Sequence, residues 1–321
     1  MTTYLAKRLI QGVIVLVLVS MVCFAMFRFT GDPVVMLAGK DATYEEREQI
    51  RVAYGLDRPV YEQYLSFLKG AMQGDFGKSY VSKIDALDTI LERFPATFEL
   101  AVTAMCISFV LGVGLGVIVS ISPNGVISRM IMAGSLVGIS IPTFLIGILL
   151  VMFFSVYLNI LPSFGRGDTV QIGFWRTGLL TLSGWQHILL PALTLSGYQL
   201  AVLIRLTRAG MRETLSEEYI KTAWAKGLSP AKVILKHALR NVMIPVVTIA
   251  GLSFGELIAF SIVTETIFQW PGMGNLLLTS IFETDQPIIV TYIMLAAFII
   301  LSINILVDLL YALLNPRIRY E

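Results

Sequence analysis

Residues 97–121, TFELAVTAMCISFVLGVGLGVIVSI, contain one charged side chain, Glu99. Such a stretch is long enough to cross a bilayer, because a spanning α-helix needs about 20 largely apolar residues. Five further segments have the same character. The predicted spans are therefore residues 9–27, 97–121, 130–158, 188–204, 242–264 and 288–314.

The composition supports a membrane location for the whole chain. Of its 321 residues, 56% are hydrophobic and 14% are charged, against about 25% charged in soluble proteins. The charges are crowded between long apolar runs, which excludes a disordered chain and a cytosolic enzyme. A net charge of +2 gives no reason to expect a nucleic-acid partner. We expect an all-α integral membrane protein with six transmembrane helices.

The first span follows Lys7 and Arg8 and could be mistaken for a signal peptide. It is longer than a typical signal-peptide core, and no small-x-small cleavage site precedes Gly31, so we predict a retained helix.

The orientation follows from the basic residues in the short connections, since cytoplasmic loops are enriched in Lys and Arg. The predicted outer short loops carry only Arg166 and Arg176. The connection between the first two spans is too long for the rule to apply. Both termini are therefore predicted to be cytoplasmic. The predicted inner basic residues are Lys7, Arg8, Arg129, Arg205, Arg208, Arg212, Lys221, Lys226, Lys232, Lys236, Arg240, Arg317 and Arg319.

The outer segment between the first two spans is predicted to be helical. Thr43 and Glu46 have the spacing of a capping box, which begins a helix. Two interpretations stay open: a spacer between spans, or a docking surface for an external partner. The other residues that bound its three predicted helices are Gly55, Pro59, Gly74, Ser82, Arg93 and Pro95.

Small residues and prolines predict how the spans pack. Glycines four apart let helices approach closely, although chance matches are common in glycine-rich spans. Pro142 and Pro245 should bend or begin helices. The glycine pairs are Gly112 with Gly116, Gly134 with Gly138, and Gly251 with Gly255.

No catalytic or cofactor-binding motif is found in the sequence. Gly77-Lys78-Ser79 matches the end of a phosphate-binding loop, but Met72 occupies the position of the required first glycine. The two histidines, His187 and His237, are predicted on opposite sides of the membrane and cannot share a metal. We expect neither enzymatic activity nor a bound cofactor in this chain.

Ionisable residues within spans are costly and are therefore functional candidates. Glu256, about halfway along the fifth predicted span, is the main candidate for a translocation pathway, with Ser253 and Pro142 grouped with it. A purely structural hydrogen-bonding role is the alternative. Three charged residues near span ends are explained by snorkelling to the interface: Arg28, Glu99 and Asp308.

The loop 206–241 between the fourth and fifth spans is long, basic and helical in pattern. An amphipathic helix begins at Glu217-Glu218, Gly227 ends it, and Ser229-Pro230 begins a second helix with Val233, Ile234 and Leu239 on one face. This pattern predicts a rigid projecting knob. The alternative is a basic segment on anionic lipid, but small residues favour a protein groove.

At this loop the sequence resembles a known family. Tyr219 to Pro230, YIKTAWAKGLSP, followed by His237-Ala-Leu-Arg-Asn241, resembles the EAA loop of permease subunits of bacterial binding-protein-dependent ABC importers, in the dipeptide, oligopeptide and nickel branch. Three other stretches agree and extend the resemblance over the whole chain: Gly31-Asp-Pro-Val34, Thr264 to Gly274 (TETIFQWPGMG), and Asn315-Pro-Arg-Ile-Arg319.

The resemblance implies a type I importer fold in the bacterial inner membrane. This chain would pair with a second permease subunit, two ATP-hydrolysing subunits that bind ATP and Mg²⁺ would dock inside, and a solute-binding protein would deliver peptide-like cargo outside. The implied organisation is an N-terminal helix (1–29), an extracytoplasmic segment (30–93), a transport domain (94–316) and a tail (317–321). The residues implied to couple to the ATPase are Glu218, Tyr219, Lys221, Thr222, Ala223, Trp224, Ala225, Lys226 and Gly227.

By this resemblance, Ala223 and Ala225 would make close contacts with the ATPase, and Lys221 and Lys226 would supply charge. Trp224 departs from the branch, which usually has arginine there, and this puts the strength of coupling in doubt. Two other classes stay open, an ion-coupled carrier and a non-transport scaffold. Within the importer interpretation, nickel chelates, glutathione-like peptides and sugars are alternative solutes.

Overall fold

The structure is a computed structural model that describes residues 2–29, 34, 42–53 and 56–314. Within these residues the first helices are α1 (Thr2–Phe29), α2 (Tyr44–Ala53), α3 (Val60–Met72), α4 (Ala86–Ile121), α5 (Val126–Ser140) and α6 (Thr143–Leu150), which continues as a π-helix over Val151–Tyr157. An antiparallel hairpin follows, β1 (Val170–Ile172) and β2 (Trp175–Thr177). The later helices are α7 (Leu182–Leu215), α8 (Glu218–Ala225), α9 (Pro230–Lys232), α10 (Leu239–Ala259), α11 (Ile262–Ile267), α12 (Met273–Glu283) and α13 (Gln286–Leu314), with a π-helix over Val233–Ala238 between α9 and α10.

Five described helices are long and apolar enough to cross a membrane, or six if the bent pair α5 and α6 forms one span. The predicted fold class is confirmed, with the small β-hairpin as an addition that the sequence pattern did not indicate. The third predicted span is not a straight helix, because its two halves are bent by 111°. Ile141 lies at the break with φ −88° and ψ 129°, the extended conformation that the following Pro142 imposes on it.

Two other helix boundaries differ from the prediction. Pro95 lies inside α4 instead of separating an outer helix from the second span. An interior proline costs about 3 kcal/mol, but Pro95, Ala96 and Leu100 are all buried in the continuous helix. The fourth span is also longer than predicted, since Thr181 caps α7 by accepting a hydrogen bond from Gly184 N at 2.9 Å.

The chain divides into two compact units, residues 1–95 with 275–301, and residues 96–274 with 302–321. In the first unit α1 packs on α3, where the ring of Phe24 lies 5.5 Å from Tyr64 and 6.1 Å from Phe67. The capping box is confirmed. Thr43 N donates to Glu46 Oε2 at 2.8 Å, and this bond holds the pKa of the Glu46 carboxyl below its usual value. Gly55, residues 31–33 and residues 315–321 lie outside the described residues.

In the second unit α4 packs closely on α7 through glycine. A Cβ added at Gly112 would lie 2.6 Å from Leu203 Cβ, and one at Gly116 would lie 2.6 Å from Thr207 Cβ. Both distances are shorter than two packed carbon atoms allow, so this predicted glycine pair is confirmed. Gly251 is likewise packed against Val307. A Cβ added at Gly134, in contrast, would meet nothing within 4 Å among the described residues.

This packing gives a testable contrast between two glycines of α4. Gly116→Ala should destabilise the protein by about 1–3 kcal/mol, because the added methyl overpacks the contact with Thr207. Gly114→Ala should be neutral or slightly stabilising, because nothing lies within 4 Å of its added methyl. Thermal unfolding of the detergent-solubilised protein measures both. Equal losses of stability would contradict the close approach of the helices.

Candidate functional site

The loop between the fourth and fifth spans forms a helical knob. α8 begins after its N-cap, Glu217, and ends at Ala225. Gly227 follows with φ +71°, a left-handed conformation that glycine adopts without strain. A Cβ at this position would meet nothing within 4 Å, so the turn requires glycine for its backbone and not for space. Pro230 then begins α9 at a position where its missing N–H costs nothing.

The inner face of the knob is part of the core of the second unit. Ile220 is fully buried and Ala223 is 6% exposed, and both belong to a cluster with Val233, Ala238 and Val242. The predicted apolar face of the second loop helix is therefore confirmed, since Ile234 and Leu239 pack against the same cluster. Ala223 therefore seats α8 on its own core.

The second loop helix is continuous with the fifth span. α9, the π-helix and α10 follow one another without a break, so residues 230–259 form one helical segment of 30 residues that is apolar enough to contain a span. The sequence predicts the helix that begins at Ser229-Pro230, but as an element separate from the span at residue 242. The charged side chains between them are Lys232, Lys236 and Arg240. These side chains are exposed on one side, while the buried residues continue on the other.

The exposed face of α8 carries most of the predicted coupling residues. Lys221 Nζ lies 2.6 Å from Glu218 Oε1, in an ion pair whose side chains are 63% and 86% exposed. Trp224 is 43% exposed. Tyr219 connects the knob to α10, because its hydroxyl accepts a hydrogen bond from Asn241 Nδ2 at 2.6 Å. The remaining predicted residues on this surface are also exposed: Thr222, Ala225, Lys226 and Gly227.

The structure brings two of the three predicted pathway residues into one pocket. Glu256 and Ser253 of α10 line a pocket of about 390 Å³. Pro142 is not among its lining residues, but the next residue, Thr143, is. Gln199 of α7, which was not among the predicted pathway residues, lines the same pocket and is 3% exposed. An uncharged amide in an apolar span carries no sequence signal comparable to that of an ionisable side chain.

Glu99 does not snorkel. It is buried beside Arg166, whose Nη2 lies 2.8 Å from Glu99 Oε2. Trp175 Nε1 donates to Glu99 Oε1 at 3.0 Å, and Gly178 N donates to Glu99 Oε2 at 3.3 Å. Glu99, near a span end, thus anchors the β-hairpin. Sequence periodicity cannot reveal this contact, because Arg166 lies 67 residues away. Asp308 is half-buried, and the side chain of Arg28 lies outside the described ones.

The stretch Thr264 to Gly274 contains a second buried carboxylate. Glu265 is fully buried and accepts hydrogen bonds from Thr97 Oγ1 at 2.7 Å and Ser261 Oγ at 2.8 Å. A Cβ at Gly272 would overlap the Glu265 carboxylate, so only glycine fits there. Trp270 Nε1 donates to the carbonyl oxygen of Ala96 at 2.9 Å. This stretch therefore fastens α11 and the following turn to the start of the second span.

Comparisons with known proteins agree with this architecture. Residues 112–320 match the family described as binding-protein-dependent transport system inner membrane component, and residues 1–101 match the N-terminal family of the same systems. The chain belongs to this family. It is an inner-membrane permease subunit of a binding-protein-dependent ABC importer, which implies ATPase and solute-binding partners. An ion-coupled carrier and a non-transport scaffold are thereby set aside.

Similar proteins include the glutathione transport system permease protein GsiC of Escherichia coli K12 and of Shigella dysenteriae serotype 1. Each is 41% identical over 322 aligned residues, covering 100% of both chains. Among solved structures, an inward-facing form of the MetNI methionine ABC transporter is similar, with a TM-score of 0.54 and 17% identity. It covers 70% of this chain and 96% of that one. The similarity to that importer concerns the fold alone.

The buried ion pair gives a prediction on stability. Arg166→Met should destabilise the permease by about 3–5 kcal/mol, because it leaves Glu99 buried without its countercharge. Arg176→Met, in β2, is the matched control, since the Arg176 side chain is exposed, and it should change stability by less than about 0.5 kcal/mol. Thermal unfolding in detergent measures both variants, and an unchanged Arg166→Met would contradict the anchoring role.

Proposed function

We propose that this chain forms one half of the translocation pathway of an importer for small peptides of the glutathione class. The observation that carries the proposal is its 41% identity, over its whole length, to permeases named for glutathione transport. Dipeptides, longer peptides, nickel chelates and sugars are the alternative cargoes. No bond of the solute is broken, because the chain changes only which side of the membrane the pathway faces.

The other half of the pathway comes from a second, homologous permease subunit, in a heterodimer. Two ATP-binding subunits hold ATP and Mg²⁺, and a solute-binding protein selects the cargo. The Gly77-Lys78-Ser79 stretch, which resembles the end of a phosphate-binding loop, has a structural role in this chain. This supports the assignment of ATP binding to the partner subunits. Ser79 is buried and its hydroxyl donates to Asp285 Oδ2 at 2.5 Å, while Gly77 and Lys78 are exposed, so the serine has a structural role.

Both termini and the knob face the cytoplasm in this proposal, and residues 30–93 face outward, where they dock the binding protein. The predominance of Lys and Arg in the connections assigned to the inside supports this orientation. The transport domain begins near residue 94, so the first span and the outer segment are an extension that precedes it.

The coupling surface is the exposed face of α8 with the Gly227 turn. When ATP binding draws the two ATPases together, their grooves displace α8, and the importer alternates between outward and inward openings. Tyr219 and Trp224 supply the apolar contact area. Because Lys221 is already paired with Glu218, the uncompensated attraction falls mainly to Lys226. Thr222 and Ala225 allow a close approach.

The pathway surface includes Glu256 and Ser253, and Pro142 sets the break that opens the wall beside them. The position of Glu256 and Ser253 in one pocket supports this assignment over a purely structural role for Glu256. A carboxylate there attracts a cationic part of the solute.

The proposal is tested by purifying the complex through a tag on this chain. Stoichiometric ATP-binding subunits and a second permease should co-purify, and mass spectrometry should identify a small peptide carried by the binding protein. A nickel chelate or a sugar in that protein would overturn the cargo assignment, and absence of ATPase subunits would overturn the heteromeric assembly.

Gly227 provides a sharper test of coupling. Gly227→Val should abolish most solute-stimulated ATP hydrolysis and uptake in proteoliposomes, because a β-branched residue cannot adopt φ +71° without strain. Membrane insertion should be intact, since nothing lies within 4 Å of the new side chain's Cβ. Gly227→Asn is the matched control and should keep most activity, because asparagine tolerates the left-handed conformation. Normal uptake by Gly227→Val would reject the coupling assignment.

A further inference from the structure

The pocket beside Glu256 combines polar groups with apolar walls. It is lined by residues of α6, α7, α10 and α11, and its volume of about 390 Å³ lies within the range of about 300–1,000 Å³ typical of small-molecule sites. The polar groups are Thr143, Tyr198, Gln199, Ser253 and Glu256. We name this site the Gln199 pocket.

Gln199 is the unusual member of the pocket. Its side chain is 3% exposed, and among the described residues its Nε2 has no hydrogen-bond partner. A buried amide without a partner costs about 1–3 kcal/mol, whereas an apolar residue of the same shape would cost nothing. A glutamine at this position is therefore explained if its amide binds a group that enters the pocket from outside the chain.

Glu256 gives the pocket its charge. It lies on α10, one helical turn after Ser253, and its side chain is exposed rather than paired within the core. No basic residue lines the pocket among the described residues. A carboxylate beside a glutamine amide provides an acceptor for a protonated amine and a donor for a carbonyl oxygen. A small peptide presents both groups, because it carries a protonated amine and the carbonyl oxygens of its peptide bonds.

Apolar side chains complete the match to a peptide-like solute. Phe144, Leu195 and Phe260 line the remaining walls, and Phe144 and Phe260 are 50% and 75% exposed. Such walls hold a solute without fixing its side chains, which suits a site that must release its cargo.

We propose that the Gln199 pocket is a transient solute site on the pathway. In it, the Gln199 amide donates to a backbone carbonyl of a small peptide and Glu256 binds the peptide's protonated amine. This inference rests on the proposed function and adds the recognising residues and the chemical group that each one binds.

The test uses the purified importer complex without its binding protein. Millimolar glutathione, as the probe, should raise the unfolding temperature of the wild-type complex, since a ligand that binds the folded state stabilises it. Gln199→Leu should lower the affinity about tenfold and so shrink this shift, while the unfolding temperature without solute stays equal or rises. Ser155→Ala is the matched control, because Ser155 is also buried with an unpartnered oxygen among the described residues but lies outside the pocket.

The amine assignment is tested with N-acetylglutathione, which lacks the positive charge. Wild type should bind it more weakly than glutathione, and Glu256→Gln should bind the two equally. If glutathione raises the unfolding temperature of Gln199→Leu as much as that of Ser155→Ala, the site is wrong. It is also wrong if Gln199→Leu is so unstable without solute that this loss accounts for its smaller rise.

The proposed function fails separately, if the wild-type importer with its binding protein transports no peptide at all. If it transports peptide while Gln199→Leu is unaffected, only the pocket fails.

Discussion

The constraint on which this structure depends is that a polar group inside a bilayer must find its partner within the protein. Backbone groups find their partners by forming helices, and the few buried charged side chains find theirs in ion pairs and hydrogen-bond networks. Glu99 does so with Arg166, Trp175 and the backbone of Gly178. Glu265 does so with two hydroxyl groups. These networks hold irregular segments, a hairpin and a tight turn, against the ends of regular spans, where packing alone has little surface to use.

The same constraint distinguishes polar groups that hold the fold from those that are left available. Glu99 and Glu265 are buried and hydrogen-bonded, so they serve to hold the fold. Gln199 and Glu256 are different, because among the described residues the Nε2 of the first is buried without a partner, and the second faces a pocket. This difference is the basis of the proposed solute site.

The sequence predicts the helical class, the number of spans, the capping box and the turn at Gly227, because each depends on neighbours within a few residues. It fails where distant residues decide the outcome. The anchor at Glu99 needs Arg166, and the continuity of α4 through Pro95 needs the burial of the residues that follow. It also does not show that the second loop helix and the fifth span are continuous, because the charged residues between them lie on an exposed face. The pocket was only half predicted, because an uncharged amide in an apolar span gives no signal until its surroundings are known.

The knob and the pocket are connected by one helix, and this connection gives the coupling a physical route. Ile220 and Ala223 are packed against Val233, Ala238 and Val242, and Tyr219 is hydrogen-bonded to Asn241, so in the proposed coupling a displacement of α8 would act on the base of α10. From Asn241 to Glu256 the helix rises about 22 Å at 1.5 Å per residue. Pro245, which was expected to bend or begin a helix, lies inside this continuous helix. A helix of this length would convert a small tilt at its base into a displacement at the pocket. The bend at Pro142 leaves α6 as a separate wall of the same pocket, so α10 can shift against it without unfolding a continuous span.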